Sequence, residues 1–163
     1  MRTSRDRGGD WSKTRTVTKR RSYGWPELDA RNRTVVATVQ APNGGLILAR
    51  SGRAGKGWNS KVLKPPKGHN FSAADIVLLP EKKALLTYVT ERIRKNRLVN
   101  TKVVSRRSPN DGQRWLSPKT VVGREKRLRM APNLANNQKK VTVVLQSGAL
   151  DGSPRNIFAS RLR

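Results

Sequence analysis

His69 is the one imidazole in a chain of 163 residues that contains no cysteine. Within one chain this rules out two histidine ligands on a metal, thiolate zinc and iron–sulfur sites, a cysteine nucleophile and disulfides. His69 stands in a Gly- and Lys-rich stretch beside Asn70, where a polar loop role is expected rather than that of a lone general base. The ten carboxylates are Asp6, Asp10, Glu27, Asp29, Asp75, Glu81, Glu91, Asp111, Glu125 and Asp151. Glu27/Asp29 and Asp75/Glu81 are the pairs to weigh, and neither has the pattern of a metal-dependent nuclease or a glycosidase. Ser51-Gly52-Arg53-Ala54-Gly55-Lys56-Gly57 has the look of a phosphate-cradling loop. A nucleotide-hydrolysing loop needs Ser or Thr after its lysine, and Lys56 is followed by Gly57. The chain therefore reads as a non-enzyme, with no catalytic residue, metal ligand or cofactor expected.

What the chain has in excess is cations. It carries 36 Lys plus Arg against 10 Asp plus Glu, a formal net charge of +26 at pH 7. Charge of that density repels itself in a compact state, and a polyanionic partner is the simplest reason to keep it. Arg outnumbers Lys, which suits bidentate contact with phosphate and stacking on bases. Nearly all of the excess falls in four clusters, residues 1–24, 50–67, 92–107 and 114–129, separated by nearly neutral stretches. The expected nucleic-acid-binding residues are Arg15, Lys19, Arg20 and Arg21 in the first cluster, and Arg50, Arg53, Lys56, Lys61, Lys64 and Lys67 in the second. Arg94, Arg97, Arg106 and Arg107 come from the third, and Arg124, Lys126, Arg127 and Arg129 from the fourth.

Aromatic side chains would separate base stacking from charge attraction alone. Trp11, Tyr23, Trp25, Trp58 and Trp115 lie in or beside basic segments. Packing against the core is expected of most of them, because buried apolar area is scarce and Trp supplies much of it. Trp58, between Gly57 and Asn59 in the most open loop, joins the expected binding residues. No aromatic-rich basic octapeptide of an RRM is present, and Gly52–Gly55 lacks the flanking pattern of a KH module.

The elements expected to position these residues form a small α+β domain over 25–150, preceded by a disordered basic arm over 1–24 and followed by a basic tail over 151–163. Thr34 to Ala41 and Leu46 to Arg50 flank Pro42-Asn43-Gly44-Gly45, the signature of a β-hairpin near 34–50. Residues 51–70 read as loop. Ser72 as a cap and Pro80 as a break predict a short helix over 73–79 and a longer one near 81–97, with Leu85, Leu86, Val89 and Ile93 on one face. Thr101 to Val104 reads as a short strand. Val141 to Leu145, continuous and largely β-branched, reads as a central strand near 141–145.

No apolar run approaches the ~20 residues that span a bilayer, and the N-terminus has no apolar signal core. The expected function is therefore a non-enzymatic, structural nucleic-acid-binding role, with RNA favoured over DNA. A viral capsid, nucleocapsid or RNA-binding accessory protein, or a ribosome-like ribonucleoprotein component, would fit, with self-assembly or a larger ribonucleoprotein as its setting. A cytoplasmic or virion-associated place is expected, with the nucleus open to it through Lys19-Arg20-Arg21 and Lys126-Arg127. The alternative is a sequence-specific DNA-binding regulator that inserts the helix near 81–97 into the major groove.

Overall fold

Runs rich in β-branched and aromatic residues, most of them ended by a turn that contains Gly, Pro or Asn, fold as strands, and within each sheet every strand pairs with the next along the chain. The computed structural model describes residues 1–4, 6–95, 97–125, 127–136, 141–149 and 156–162. Among them are eleven strands and no helix: β1 (Tyr23–Arg31), β2 (Thr34–Gln40), β3 (Leu46–Ser51), β4 (Asn59–Leu63), β5 (His69–Leu78), β6 (Ala84–Arg94), β7 (Arg97–Ser108), β8 (Lys119–Glu125), β9 (Arg127–Asn136), β10 (Val141–Ala149) and β11 (Asn156–Leu162). They form three antiparallel meanders, β1-β2-β3-β4, β5-β6-β7-β8 and β11-β10-β9.

The second sheet is the middle layer. Ala84, Leu86 and Tyr88 of β6 point to the first sheet and share a core with Val36, Leu46, Leu48, Phe71, Ile76, Leu78 and Val104. The alternate residues Leu85 and Val89 point to the third sheet, where they meet Val141 and Val143. From Ala84 through Thr90 every residue of β6 is buried, as expected of a strand covered on both faces.

That double burial overturns the α+β expectation. Leu85, Leu86, Val89 and Ile93 do fall at helical spacing, yet Leu85 and Leu86 serve opposite faces of a strand, and Thr87, Tyr88, Val89 and Thr90 between them favour extended backbone. The short helix over 73–79 is likewise strand β5. Its Ser72 hydroxyl donates to Glu91 Oε1 at 2.6 Å instead of capping a helix, and the register with β6 shifts between Ser72 and Asp75. Pro80 opens the β5–β6 turn, whose central residues Glu81 and Lys82 both adopt left-handed backbone, at φ 57° and 58°. That is the type I′ pattern of a two-residue hairpin.

The hairpin near 34–50 forms as expected: Val35 to Gln40 pair in register with Ser51 to Leu46. The strand near 141–145 is central in its sheet, with β9 and β11 on either side. Within the stretch read as loop, Asn59–Leu63 pairs with β3 as β4. Asn156–Leu162, read as part of the tail, pairs with β10.

The N-terminal segment expected as a disordered arm has no strand or helix among its described residues before Tyr23, yet it closes on itself. Ser12 N donates to Thr3 O and Arg15 N to Met1 O, each at 2.9 Å. The Thr18 and Ser60 hydroxyls lie 3.3 Å apart, so the segment follows the edge strand β4.

Candidate nucleic-acid interface

Strand register sorts the cations into two ends of the first two sheets. At one end are the β2–β3 turn, the β4–β5 connection and the tip of the β6–β7 hairpin. Phe71 N donates to Gly44 O at 2.5 Å and Ile93 N to Gly68 O at 2.8 Å, which holds these three loops together. At the other end are the 51–58 loop and the turns at 32–33, 80–83 and 109–118. There Ala54 N donates to Arg33 O at 2.7 Å and Asp111 N to Lys82 O at 2.5 Å.

The first end carries a cleft of about 1020 Å³ between the N-terminal segment and β4 with its following connection. Its cations are Arg20, Arg21, Lys61, Lys64 and Lys67, with His69 at its margin and no carboxylate among its described lining residues. Two clusters far apart in sequence are thus brought onto one concave surface. Pro65 and Pro66 fix the backbone of the wall between Lys64 and Lys67, and Gly68, at φ 70°, turns the chain into β5. Arg94 and Arg97 face each other across the tip of the β6–β7 hairpin, beside Gly68, and both are exposed.

At the opposite end, three of the expected binding residues are spent on structure. Arg50 Nε donates to Asp111 O at 2.8 Å, Lys61 Nζ to Gln113 O at 2.9 Å and Arg106 Nη1 to Leu116 O at 3.3 Å. Three carbonyls of the 109–118 loop are in this way tied to cations of β3, β4 and β7. Arg106 Nε also donates to the hydroxyl of buried Tyr88 at 3.0 Å. Lys61 both holds this loop and lines the cleft. Arg53, Lys56 and Arg107 are exposed at the same far end and do not line the cleft, and neither do Arg15 and Lys19 of the N-terminal segment. Arg124, Arg127 and Arg129 fall in β8 and β9 at positions whose side chains lie outside the described residues, and Lys126 lies outside them altogether.

The aromatics divide in a way that composition hides. Trp58 is half-buried, with its indole N–H donated to Gly55 O at 3.1 Å, so it braces its own loop. Tyr23 and Trp25 in edge strand β1 are 51% and 90% exposed, and Tyr23 is two residues from the cleft-lining Arg21. What singles them out is their place on β1, the edge strand of the first sheet, which the sequence does not disclose.

Three carboxylates collect away from the cleft. Asp29 Oδ2 accepts the Leu78 N–H at 2.7 Å and Asp75 Oδ2 the Leu134 N–H at 2.6 Å, so each joins one sheet to the next. Burial pushes the Asp75 carboxyl above its usual range, while the Leu134 and Ile76 N–H groups pull the other way and Asp29 adds to the rise. Burial also raises Glu27, with the charge of Asp75 adding to it.

No protein-family model matches the chain, and no curated protein is similar to it in sequence.

Proposed function

We propose that this protein is a non-enzymatic, structural RNA-binding protein that seats a single-stranded or looped segment in the cleft of Arg20, Arg21, Lys61, Lys64 and Lys67. The observation that carries the reading is the convergence of Arg20 and Arg21 with Lys64 and Lys67, cations from two distant segments, on one concave surface that has no acid among its described residues. A concave basic surface tracks a phosphate backbone better than scattered charge does, and releases counterions on binding. Exposed Tyr23, two residues from the cleft-lining Arg21, offers a stacking face that unpaired bases can use and paired bases cannot. The far-end cations, used to hold a loop, give the charge excess a second, structural purpose.

The DNA-regulator alternative needs a helix over 81–97, and that segment is a turn and two strands. A capsid, nucleocapsid or ribonucleoprotein role is the setting that a charge of +26 and a structural binding mode suit best. Protein purified at low salt is expected to carry RNA, seen as a raised ratio of nucleic-acid to protein absorbance, and to sediment as nuclease-sensitive particles that a high-salt wash dissociates. A nucleic-acid-free monomer at low salt would contradict the proposal.

A further inference from the structure

Beyond the cleft, β6 and β7 continue past the edge of the core on the face that elsewhere packs against the first sheet. The alternation Leu86, Tyr88, Thr90, Arg92 runs along that face from core to cation. Its partners in β7 and β5 follow the same rows: His69 pairs with Arg92 and Arg92 with Asn100, while Thr90 pairs with Lys102. Together His69, Thr90, Arg92, Asn100 and Lys102 line a cup of about 260 Å³, with no carboxylate among its described lining residues. The acid nearest in sequence, Glu91, alternates to the other side of β6 and accepts the Ser72 hydroxyl.

A second observation is independent of the charge. Thr90 is 7% exposed and its hydroxyl is buried without a hydrogen-bond partner. A buried hydroxyl left unsatisfied costs stability, and rotation about χ1 can turn it toward an acceptor placed in the cup. His69 Nδ1 lies 3.1 Å from Lys67 O, and a carbonyl can only accept, so Nδ1 carries the ring proton and Nε2 is the remaining nitrogen. His69 also lies at the margin of the large cleft, which makes the two depressions neighbours.

We propose that this cup is a phosphate-binding site, in which Arg92 and Lys102 neutralise the anion while the Thr90 hydroxyl and the Asn100 amide donate to its oxygens. The inference rests on the RNA-binding reading for the source of the phosphate, either a backbone phosphodiester of the strand in the cleft or a terminal phosphomonoester. The site itself is defined by inorganic phosphate alone.

The test is an NMR titration of the full chain with sodium phosphate against sodium chloride at matched ionic strength, repeated for Arg92→Ala and Thr90→Val. Saturable shifts confined to the residues of the cup are expected. Loss of a charged donor should weaken them about tenfold or more in Arg92→Ala. Thr90→Val should weaken them several-fold while the melting temperature holds or rises, because the substitution also removes an unsatisfied hydroxyl. A purely structural Thr90 would not separate binding from stability in that way. Tighter binding of a 5′-phosphorylated oligouridylate than of its 5′-hydroxyl form, with the preference lost in Arg92→Ala, assigns the site to a terminal phosphate; equal binding assigns it to the backbone. Phosphate shifts no larger than those with chloride, or shifts that survive both substitutions, overturn the proposal even if RNA binds in the cleft. Saturable phosphate shifts in a protein that binds no RNA uphold the cup and contradict the cleft.

Discussion

Asp75 Oδ2 accepts the backbone N–H of Leu134 at 2.6 Å, so a carboxylate of the middle sheet is bonded directly to the third sheet. With Asp29 bonded to Leu78, two of only ten acids in the chain serve as ties between layers. In a molecule so rich in cations, these acids answer backbone N–H groups that no strand partner reaches.

Replacing Asp75 with Ala leaves the Leu134 N–H without this acceptor and is expected to cost about 1–3 kcal/mol. Urea unfolding of the two proteins at neutral pH measures it.

Asp75 and Glu27 are both held above their ordinary range in the folded state. A raised folded pKa favours folding below the unfolded value, and that contribution is lost as pH rises through the folded one. Ionising either group as pH rises therefore costs the fold stability. Glu27→Gln should raise the melting temperature at neutral pH, and the gain should vanish on acidification below the carboxylate range. A gain that is the same at both pH values would show that the Glu27 charge is not its cause.

The β5–β6 turn places two side-chain-bearing residues, Glu81 and Lys82, in left-handed backbone. Asn-Gly suits that turn with much less strain, and the double substitution Glu81→Asn/Lys82→Gly should stabilise the protein by about 1 kcal/mol. It also removes the Glu81–Lys83 ion pair, which is exposed and worth little. A shift of the urea midpoint at constant slope would register the gain.

How far the sequence discloses all this depends on which interaction decides each element. The β2–β3 hairpin was legible because Pro42-Asn43-Gly44-Gly45 is local turn chemistry between β-prone runs. The helix near 81–97 was misread because a strand buried on both faces loses its alternation, and the apolar residues left over happened to fall three and four apart. The basic clusters were visible as charge, but their division into a cleft at one end and ties at the other was not. Arg50 and Arg106 become structural only when the 109–118 loop brings its carbonyls to them. The grouping of His69, Arg92 and Lys102 is invisible in the sequence because it follows a period of two across three strands.

The same division yields paired expectations. Arg106→Ala removes the partner of the Tyr88 hydroxyl and should lower stability by about 1–3 kcal/mol, with only a small change in RNA affinity. Arg21→Ala and Lys67→Ala should do the reverse, weakening RNA and leaving the unfolding midpoint in place. Thermal melts and fluorescence anisotropy on the same samples make the comparison.

The most direct test of the cleft is the salt dependence of binding to single-stranded RNA, for the native chain and for the quadruple variant Arg20→Ala/Arg21→Ala/Lys64→Ala/Lys67→Ala. A far-end control, Arg53→Ala/Lys56→Ala/Arg107→Ala, removes charge without touching the cleft. Each phosphate contact on a single strand contributes about 0.7 to the slope of log affinity against log salt, so the cleft variant should lose about 3 from that slope. The control should lose little. Equal losses in the two variants, or an affinity indifferent to salt, would contradict the assignment of RNA to the cleft.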